Sequence, residues 1–243
     1  MRLDRRTALV TGGSRGIGFS VARLLASRGC RVMICGRDPA LLENARAALE
    51  NVEAFACDVG DADDAGRLIA HVRKRFGGLN LLVNNAGVQY ASNFLAEDAA
   101  ATARAIESEI AINLVGPLRL SALAMPLLHA QDEAAIVNVA SALAISPKPS
   151  APVYCATKSG LRTFSTALRH QLQGAGSAVR VVDIVLPIVD TAMTAGRGKW
   201  KISADRAAAS IVRAVERDKD VAFVGGARLL AWFLRLFPGL GDR

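Results

Sequence analysis

Short apolar runs alternate along the chain with longer stretches of amphipathic, helical spacing. The apolar runs predict seven strands, over residues 7–10, 31–35, 52–56, 79–83, 135–139, 178–186 and 221–224. The stretches between them predict helices over residues 16–28, 39–50, 61–76, 99–130, 153–174 and 203–218, with Asp61 and Ser203 as N-caps. This alternation predicts a single-domain, doubly wound α/β fold over residues 1–243, with a seven-stranded parallel sheet flanked by helices.

The composition favours a globular protein with a large aliphatic core. Hydrophobic residues make up 51% of the chain and aromatic residues 5%, at a mean hydropathy of +0.27. This balance excludes a disordered or fibrous chain. Apolar runs are interrupted before the roughly 18 residues that a membrane span needs, and the basic N-terminus leads into a strand. We therefore expect a cytoplasmic protein that does not cross a bilayer.

Cysteine spacing and the distribution of charge argue against a metal site and against nucleic acid as a ligand. The cysteines lie too far apart for paired metal ligands, so we expect reduced, buried thiols and no metal site; they are Cys30, Cys35, Cys57 and Cys155. The net charge is +8 at a pI near 9.9, yet the basic residues are scattered rather than clustered. The charge therefore points to a phosphorylated cofactor rather than to nucleic acid.

A glycine-rich turn directly follows the first predicted strand and opens the first predicted helix. It reads Thr-Gly-Gly-Ser-Arg-Gly-Ile-Gly over residues 11–18. Positions without a side chain let the backbone approach a pyrophosphate, whose charge then faces the helix N-terminus. We therefore expect these residues to bind a dinucleotide cofactor: Gly12, Ser14, Arg15, Gly16, Ile17 and Gly18.

The spacing of this turn resembles that of the short-chain dehydrogenase/reductase family. Asp58-Val59 after the third strand, the Asn-Asn-Ala-Gly segment 84–87 after the fourth, and Tyr154-Cys-Ala-Thr-Lys158, which begins thirteen residues after Ser141, strengthen the resemblance. These motifs cover nearly the whole chain in the family's order, which implies a Rossmann fold and hydride transfer. Gln89, the Glu109 to Asn113 context and the form of the tyrosine motif resemble the branch labelled DltE-like.

The resemblance assigns roles to several cofactor-binding residues. It implies that Asp58 holds the adenine amino group, that Val59 belongs to the cofactor site, and that Asn85, Ala86 and Gly87 line the adenosine side. Contacts to the nicotinamide carboxamide are implied for Pro187, Val189 and Thr191, and Tyr154 and Lys158 also border the cofactor. The family usually has glycine where this chain has Pro187, which puts the path of the following loop in doubt. The alternative for Asp58 is a turn-forming aspartate.

The resemblance also implies a catalytic tetrad of Asn113, Ser141, Tyr154 and Lys158. Tyr154 would protonate the carbonyl oxygen, Ser141 would steady the developing oxyanion, and Asn113 would hold a water. Tyr154 and Lys158 lie four residues apart on one predicted helix face, so we expect Lys158 to lower the tyrosine pKa by an interaction of about 4 kcal/mol. The alternatives are a helix cap for Ser141 and a buried amide for Asn113.

Charge at the second strand predicts NADP(H) as the cofactor. NAD sites place a carboxylate there, whereas this chain has Gly36 followed by Arg37. Together with Arg15, Arg37 could bind a 2′-phosphate by charge-assisted hydrogen bonds. The alternative is a pair of solvated arginines.

The substrate pocket is predicted to lie between residues 142–145, residues 147–153, Gln89 and the 192–200 part of a substrate loop spanning about 187–203. These stretches are mostly small or apolar, which favours an uncharged carbonyl or alcohol. The basic residues of the loop either meet an anionic substrate tail or solvate a lid; they are Arg197, Lys199 and Lys201.

An apolar helix is predicted over about 226–237. It carries more large apolar residues than a solvated helix hides, so we expect it to dock on a sister subunit of a dimer or tetramer. Arg228 and Arg235 flank this face, so peripheral contact with an anionic membrane is one alternative and docking within the chain is another.

The sequence thus predicts an NADP(H)-dependent oxidoreductase that transfers hydride between nicotinamide and a small carbonyl or alcohol. The alternative is a catalytically silent dinucleotide-binding scaffold or sensor, although no tetrad position is lost. An extended epimerase or dehydratase would need a longer C-terminal substrate region. The physiological substrate and the pathway stay open.

Overall fold

Strands and helices alternate through the computed structural model, which describes residues 1–91, 93–95, 98–198 and 200–236. The strands are β1 Thr7–Thr11, β2 Arg31–Gly36, β3 Val52–Ala56, β4 Leu81–Asn84, β5 Ala134–Ser141, β6 Val179–Leu186, β7 Val189–Asp190, β8 Ile202–Ser203 and β9 Val221–Phe223. The α-helices are α1 Gly16–Ser27, α2 Pro39–Ala47, α3 Ala62–Phe76, α4 Ala99–Ile110, α5 Gly116–His129, α6 Pro152–Gly174, α7 Ala204–Glu216 and α8 Gly226–Leu236.

The main sheet is parallel, with the strand order β3-β2-β1-β4-β5-β6-β9. Alternate residues of one strand enter different cores: Val10 joins a cluster with Leu25 and Ile211 of α1 and α7, while Leu9 joins a cluster with Leu68 of α3. Because both faces are covered, the central strands are buried almost throughout. The predicted doubly wound, seven-stranded sheet is confirmed.

Helix starts are set by short polar side chains, as the sequence predicts. The Asp61 carboxylate accepts a hydrogen bond from the Asp64 N–H, and the Ser203 hydroxyl accepts one from the Arg206 N–H. Asp38 caps α2 in the same way, and Pro39 occupies the first turn. These caps begin each helix directly beside the strand end or loop that precedes it.

The predicted helix over 99–130 is interrupted by a π-helical turn over Ala111–Val115. The stretch Ala99–His129 is long and apolar enough to span a membrane by length and composition. In the fold it covers the sheet: Leu120 and Leu128 are buried in the core, and Arg119 donates to the Gly60 carbonyl at 3.0 Å. These contacts are those of a core helix.

Two features near the C-terminal end of the chain bear on the site. β7 and β8 form a small parallel pair that closes the base of the predicted substrate loop. Beyond β9, the predicted apolar helix is confirmed as α8 to Leu236, whereas Phe237 lies outside the described residues. Within α8, Leu229, Trp232 and Leu236 are 71%, 64% and 53% exposed.

Candidate active site

The glycine-rich turn lies at the C-terminal end of β1 and is shaped by close backbone contacts. Gly12 and Gly16 have positive φ angles of +65° and +58°, which favour glycine. A Cβ on Gly18 would lie 2.1 Å from the Gly12 carbonyl oxygen. The first turn of α1 has no acidic residue, and the preceding Arg15 makes no side-chain cap. Its N–H groups therefore suit an anion such as a pyrophosphate.

The 84–87 segment is held against β1 by a residue that sequence reasoning missed. The Thr11 hydroxyl accepts hydrogen bonds from the Asn85 and Ala86 N–H groups, both at 2.9 Å. The Asn85 amide donates to the Thr11 carbonyl at 2.9 Å. Asn85 therefore braces the turn, and Ala86 and Gly87 follow it along the edge of the sheet. A polar residue at the buried end of β1 was the available signal.

Arginines border an open cavity beside the glycine turn. This cavity has a volume of about 530 Å³ and is lined by Ser14, Arg15, Arg37, Asp38, Pro39 and Leu41. Gly36 stands where a carboxylate would reject a 2′-phosphate. The structure therefore brings the two predicted phosphate-binding arginines to one opening.

Asp58 forms a turn, and its predicted contact with the adenine stays a prediction. Its Oδ1 accepts from the Gly60 N–H at 2.9 Å, which is the geometry of a turn aspartate. Its Oδ2 lies 3.8 Å from the Arg37 guanidinium, and the side chain is 38% exposed. Val59 beside it is buried in the core. Asp58 thus forms the turn and also faces the arginine side of the cavity.

The four predicted catalytic residues gather at the ends of β4 and β5. The Lys158 ammonium donates to the Val139 carbonyl at 2.9 Å and lies 5.7 Å from the centroid of the Tyr154 ring. The Ser141 hydroxyl interacts with the Tyr154 phenol, which lowers the tyrosine pKa, and it also accepts from the Leu143 N–H at 3.2 Å. Ser141 is therefore both a helix cap and a partner of Tyr154.

Asn113 lies within the π-helical turn, a distortion that often marks functional sites. Its side-chain oxygen accepts from the Val88 N–H at 2.8 Å, and its amide donates to the Val88 carbonyl at 2.8 Å and to the Thr157 hydroxyl at 3.3 Å. A Cβ on Gly87 would lie 3.2 Å from the Asn113 oxygen and 3.6 Å from Lys158 Nζ. Asn113 is a buried, satisfied amide that fixes the segment beside Lys158.

The expected lowering of the Tyr154 pKa by Lys158 is wrong for the polypeptide alone. Burial raises the pKa of Tyr154 to about 12, and the nearby Glu109 carboxylate acts in the same direction. Burial also lowers the pKa of Lys158 to about 8, so the lysine itself gives up its proton readily. Sequence spacing reports only the attraction between the two groups, whereas the desolvation of both outweighs it in the fold.

The substrate loop returns to the glycine turn. A Cβ on Gly16 would lie 3.3 Å from the Thr191 methyl group, and Val189 is buried in β7. Pro187 begins this path and packs near Gly225, where an added Cβ would lie 3.6 Å from the proline ring. Despite the proline, the chain therefore brings Thr191 beside the predicted cofactor-binding turn.

The basic residues of this loop are engaged within the protein. Arg197 donates to the Gln89 side-chain oxygen at 2.6 Å, and Lys201 donates to the Thr194 carbonyl at 2.7 Å. Lys199 lies outside the described residues, while Trp200 is 91% exposed. The Arg197 bond joins the loop to the segment that follows β4.

A second, largely apolar cavity of about 470 Å³ lies between α4 and α6. It is lined by Phe94, Ile106, Ile110, Leu114, Pro152, Val153, Ala156 and Thr157. Of the predicted substrate pocket, Pro152 and Val153 reach it, whereas Gln89, residues 142–145 and the 192–200 loop do not line it. The predicted pocket therefore stays a prediction, and this cavity is a separate apolar groove.

Comparison with known sequences agrees with the arrangement of the site. The family model described as short chain dehydrogenase matches residues 6–202. The uncharacterised oxidoreductase DltE of Bacillus subtilis strain 168 is 42% identical over 193 residues, which are 79% of this chain and 75% of that protein. An uncharacterised oxidoreductase of Staphylococcus aureus strain USA300 is 29% identical over 224 residues, which are 90% of this chain and 94% of that protein.

Solved structures share the fold. A short chain dehydrogenase from Burkholderia cenocepacia in complex with NADP is 26% identical at a TM-score of 0.84, covering 97% of this chain and 94% of that one. A short chain dehydrogenase/reductase from Burkholderia phymatum in complex with NAD is 24% identical at a TM-score of 0.88, covering 100% and 97%, and this likeness bears on the fold alone. The chain therefore belongs to the short-chain dehydrogenase/reductase family, in its DltE-like branch, and is an oxidoreductase.

Proposed function

We propose that this protein is an NADP(H)-dependent oxidoreductase that transfers a hydride between nicotinamide and a small carbonyl or alcohol substrate. The observation that carries the proposal is the convergence of Ser141, Tyr154, Lys158 and Asn113 beside the glycine turn. A silent scaffold would have no reason to keep a buried lysine beside a part-buried tyrosine, because burying polar groups is costly.

The residues around the glycine turn fit a dinucleotide. Gly12, Gly16 and Gly18 allow the close packing that shapes the turn at the start of α1, whose N–H groups would bind a pyrophosphate. Arg15 and Arg37 would hold a 2′-phosphate at the open cavity. The absence of a carboxylate at Gly36 supports NADP(H) over NAD(H). One of the similar solved proteins is in complex with NADP and the other with NAD, so the preference rests on these side chains.

The chemistry assigned to the chain itself is proton transfer and charge stabilisation. When bound, the nicotinamide supplies or accepts the hydride. Tyr154 donates its proton to the carbonyl oxygen during reduction, and Ser141 donates a hydrogen bond that steadies the developing negative charge. Lys158 returns a proton to Tyr154. The pKa of Tyr154 is about 12 in the polypeptide alone, so the phenolate forms with difficulty near neutral pH. The positive charge of an oxidised cofactor would favour the phenolate.

A panel of aldehydes, ketones and alcohols tests this function. Oxidation of NADPH and of NADH with the carbonyl compounds, and reduction of the oxidised cofactors with the alcohols, are followed at the nicotinamide absorbance. We expect turnover of at least one uncharged carbonyl compound, with a higher kcat/KM for NADPH. Binding of NADPH without turnover of any compound would favour the alternative of a catalytically silent dinucleotide-binding scaffold or sensor.

We further propose that the exposed face of α8 docks on a second copy of the chain in the cytoplasm, where the free cysteines would stay reduced. Leu229, Trp232 and Leu236 would be covered in the assembly. Deleting residues from Leu229 onward should reduce the mass measured by light scattering. An unchanged mass together with loss of binding to anionic vesicles would favour the membrane alternative. As a control, replacing Arg228 and Arg235 with glutamine should leave the oligomer intact.

A further inference from the structure

Gln89, in the segment that follows β4, meets Arg197 of the substrate loop. The Arg197 guanidinium donates to the Gln89 side-chain oxygen at 2.6 Å, although the two residues lie 108 positions apart in the chain. The Gln89 Nε2 atom is buried and has no hydrogen-bond partner within the described part of the chain. Neither residue belongs to the catalytic tetrad or to the predicted cofactor site, so this pairing has no role in the function proposed above.

The backbone around Gln89 is held beside the catalytic residues. Val88, its neighbour, bonds in both directions to the Asn113 side-chain amide at 2.8 Å. A Cβ on Gly87 would lie 3.6 Å from Lys158 Nζ. Because two residues span at most about 7 Å, Gln89 begins a short distance from the lysine that adjoins Tyr154.

Arg197 is placed by the loop that carries it, and its charge is not balanced there. Its backbone N–H donates to the Thr194 carbonyl at 3.0 Å. Lys201 of the same loop is paired with Asp190 at 3.2 Å, whereas none of the ion pairs among the described residues includes Arg197. The guanidinium therefore offers both positive charge and free N–H groups beside Gln89.

Together, Gln89 and Arg197 present only hydrogen-bond donors to a ligand. A guanidinium has no acceptor, so the Gln89 oxygen must face it and the Gln89 NH₂ group must face elsewhere. A buried donor without an acceptor is costly, and the cost is removed when a ligand supplies one. A carboxylate matches the pair best, because its two oxygens lie in one plane and its negative charge balances the guanidinium.

We propose that Gln89 and Arg197 form a subsite for a carboxylate of the substrate, so that the preferred carbonyl substrate is an oxo acid and the corresponding alcohol a hydroxy acid. Gln89 Nε2 donates to one carboxylate oxygen and the Arg197 guanidinium donates to the other. A short carbon chain joins the carboxylate to the carbonyl, since Gln89 begins close to Lys158. The choice of substrate rests on the proposed function, whereas the binding of a carboxylate does not.

Calorimetric titration of the whole protein with hexanoate and with hexanamide tests the subsite without any turnover. The two probes have the same carbon chain and differ in charge. We expect the wild type to bind hexanoate at least about 10-fold more tightly than hexanamide. Arg197→Gln should remove this preference, because glutamine can still bond to the Gln89 oxygen but carries no charge. The matched control is Arg206→Gln, which removes an exposed arginine of α7 and should keep the preference.

A second variant, Gln89→Glu, changes the subsite from the other side. It keeps the size of the side chain and replaces the unpartnered donor with a carboxylate, which would pair with Arg197 and exclude hexanoate. Equal binding of the two probes by the wild type would overturn the proposal, as would an unchanged preference in a folded Arg197→Gln variant. Tighter binding of hexyl phosphate than of hexanoate would contradict the assignment to a carboxylate.

Kinetics separate recognition of the carboxylate from a role in holding the loop. Short oxo acids are compared with their methyl esters in NADPH oxidation. Arg197→Gln should raise KM for the oxo acid by about 10- to 100-fold and leave KM for the ester and the NADPH Kd nearly unchanged. An equal rise in KM for acid and ester would mean that Arg197 only holds the loop, which contradicts the proposal. Absence of turnover of every compound by the wild type would count against the proposed function, and the hexanoate titration would still decide the subsite.

Discussion

The two sides of the active site are built differently. On the cofactor side, backbone contacts leave little freedom: the Gly18 position cannot take a Cβ, and Thr11 holds Asn85 and Ala86 by bonds of 2.9 Å. On the predicted substrate side, Trp200 is 91% exposed, and a side-chain bond of 2.6 Å from Arg197 to Gln89 joins the loop to the segment after β4. If the proposed sites are right, cofactor binding depends mainly on the backbone and substrate recognition on side chains, so we expect mutations to separate the two.

The largest expected effect comes from closing the space in the glycine turn. In Gly18→Ala the new Cβ would overlap the Gly12 carbonyl, so the turn must shift. We expect NADPH binding to weaken by about 100-fold or more and the Tm to fall, since about 1 kcal/mol corresponds to 2–4 °C at this chain length. Calorimetric titration and thermal melts measure both.

The control for this change is Gly66→Ala in α3, where an added Cβ meets no atom within 4 Å. Alanine favours the helix by roughly 1 kcal/mol, so the Tm should rise slightly and NADPH binding should stay unchanged. Normal cofactor binding by Gly18→Ala would mean that the turn is not the pyrophosphate site.

A smaller effect is expected at the arginine side of the cavity. Arg37→Ala should weaken NADPH by roughly 10- to 100-fold, the cost of losing hydrogen bonds to a charged group, and should change NADH binding little. Arg46→Ala, which removes an exposed arginine paired with Glu43 on α2, is the control. Equal losses for NADPH and NADH would remove the basis for the cofactor preference.

The cofactor side could be predicted from the sequence because its requirements act on backbone. The strand before the turn, the glycines within it and the helix after it determine one local geometry, and Asp61 and Ser203 cap helices as the sequence predicts. The alternation of apolar runs and amphipathic stretches was enough to predict the order of strands and helices along the chain. That residues 1–243 form a single domain stays a prediction.

What could not be predicted depends on packing between distant segments. The π-helical turn at Asn113 and the β7–β8 pair leave no periodic signal, and the raised pKa of Tyr154 follows from burial that spacing cannot report. Glu109 was visible as a carboxylate four residues before Asn113. That it is fully buried depends on how α4 packs in the fold.

The smallest effect is expected on the substrate side. Arg197→Ala removes the bond to Gln89, so the loop is held less closely over the site. We expect KM for the turned-over carbonyl compound to rise a few-fold while the NADPH Kd stays the same. Arg206→Ala, an exposed arginine in the first turn of α7, is the control. A change in NADPH affinity would show that the two sides are not separable.

The most direct test of the proposed reaction uses the two tyrosines of the chain, Tyr90 and Tyr154. Tyr154→Phe removes the proton donor and keeps the aromatic ring, while Tyr90→Phe removes the other phenol as a control. We predict that Tyr154→Phe lowers kcat by about 100-fold or more with the NADPH Kd within about two-fold, and that Tyr90→Phe retains turnover. Turnover by Tyr154→Phe within a few-fold of the wild type would contradict the assignment of Tyr154 as the proton donor.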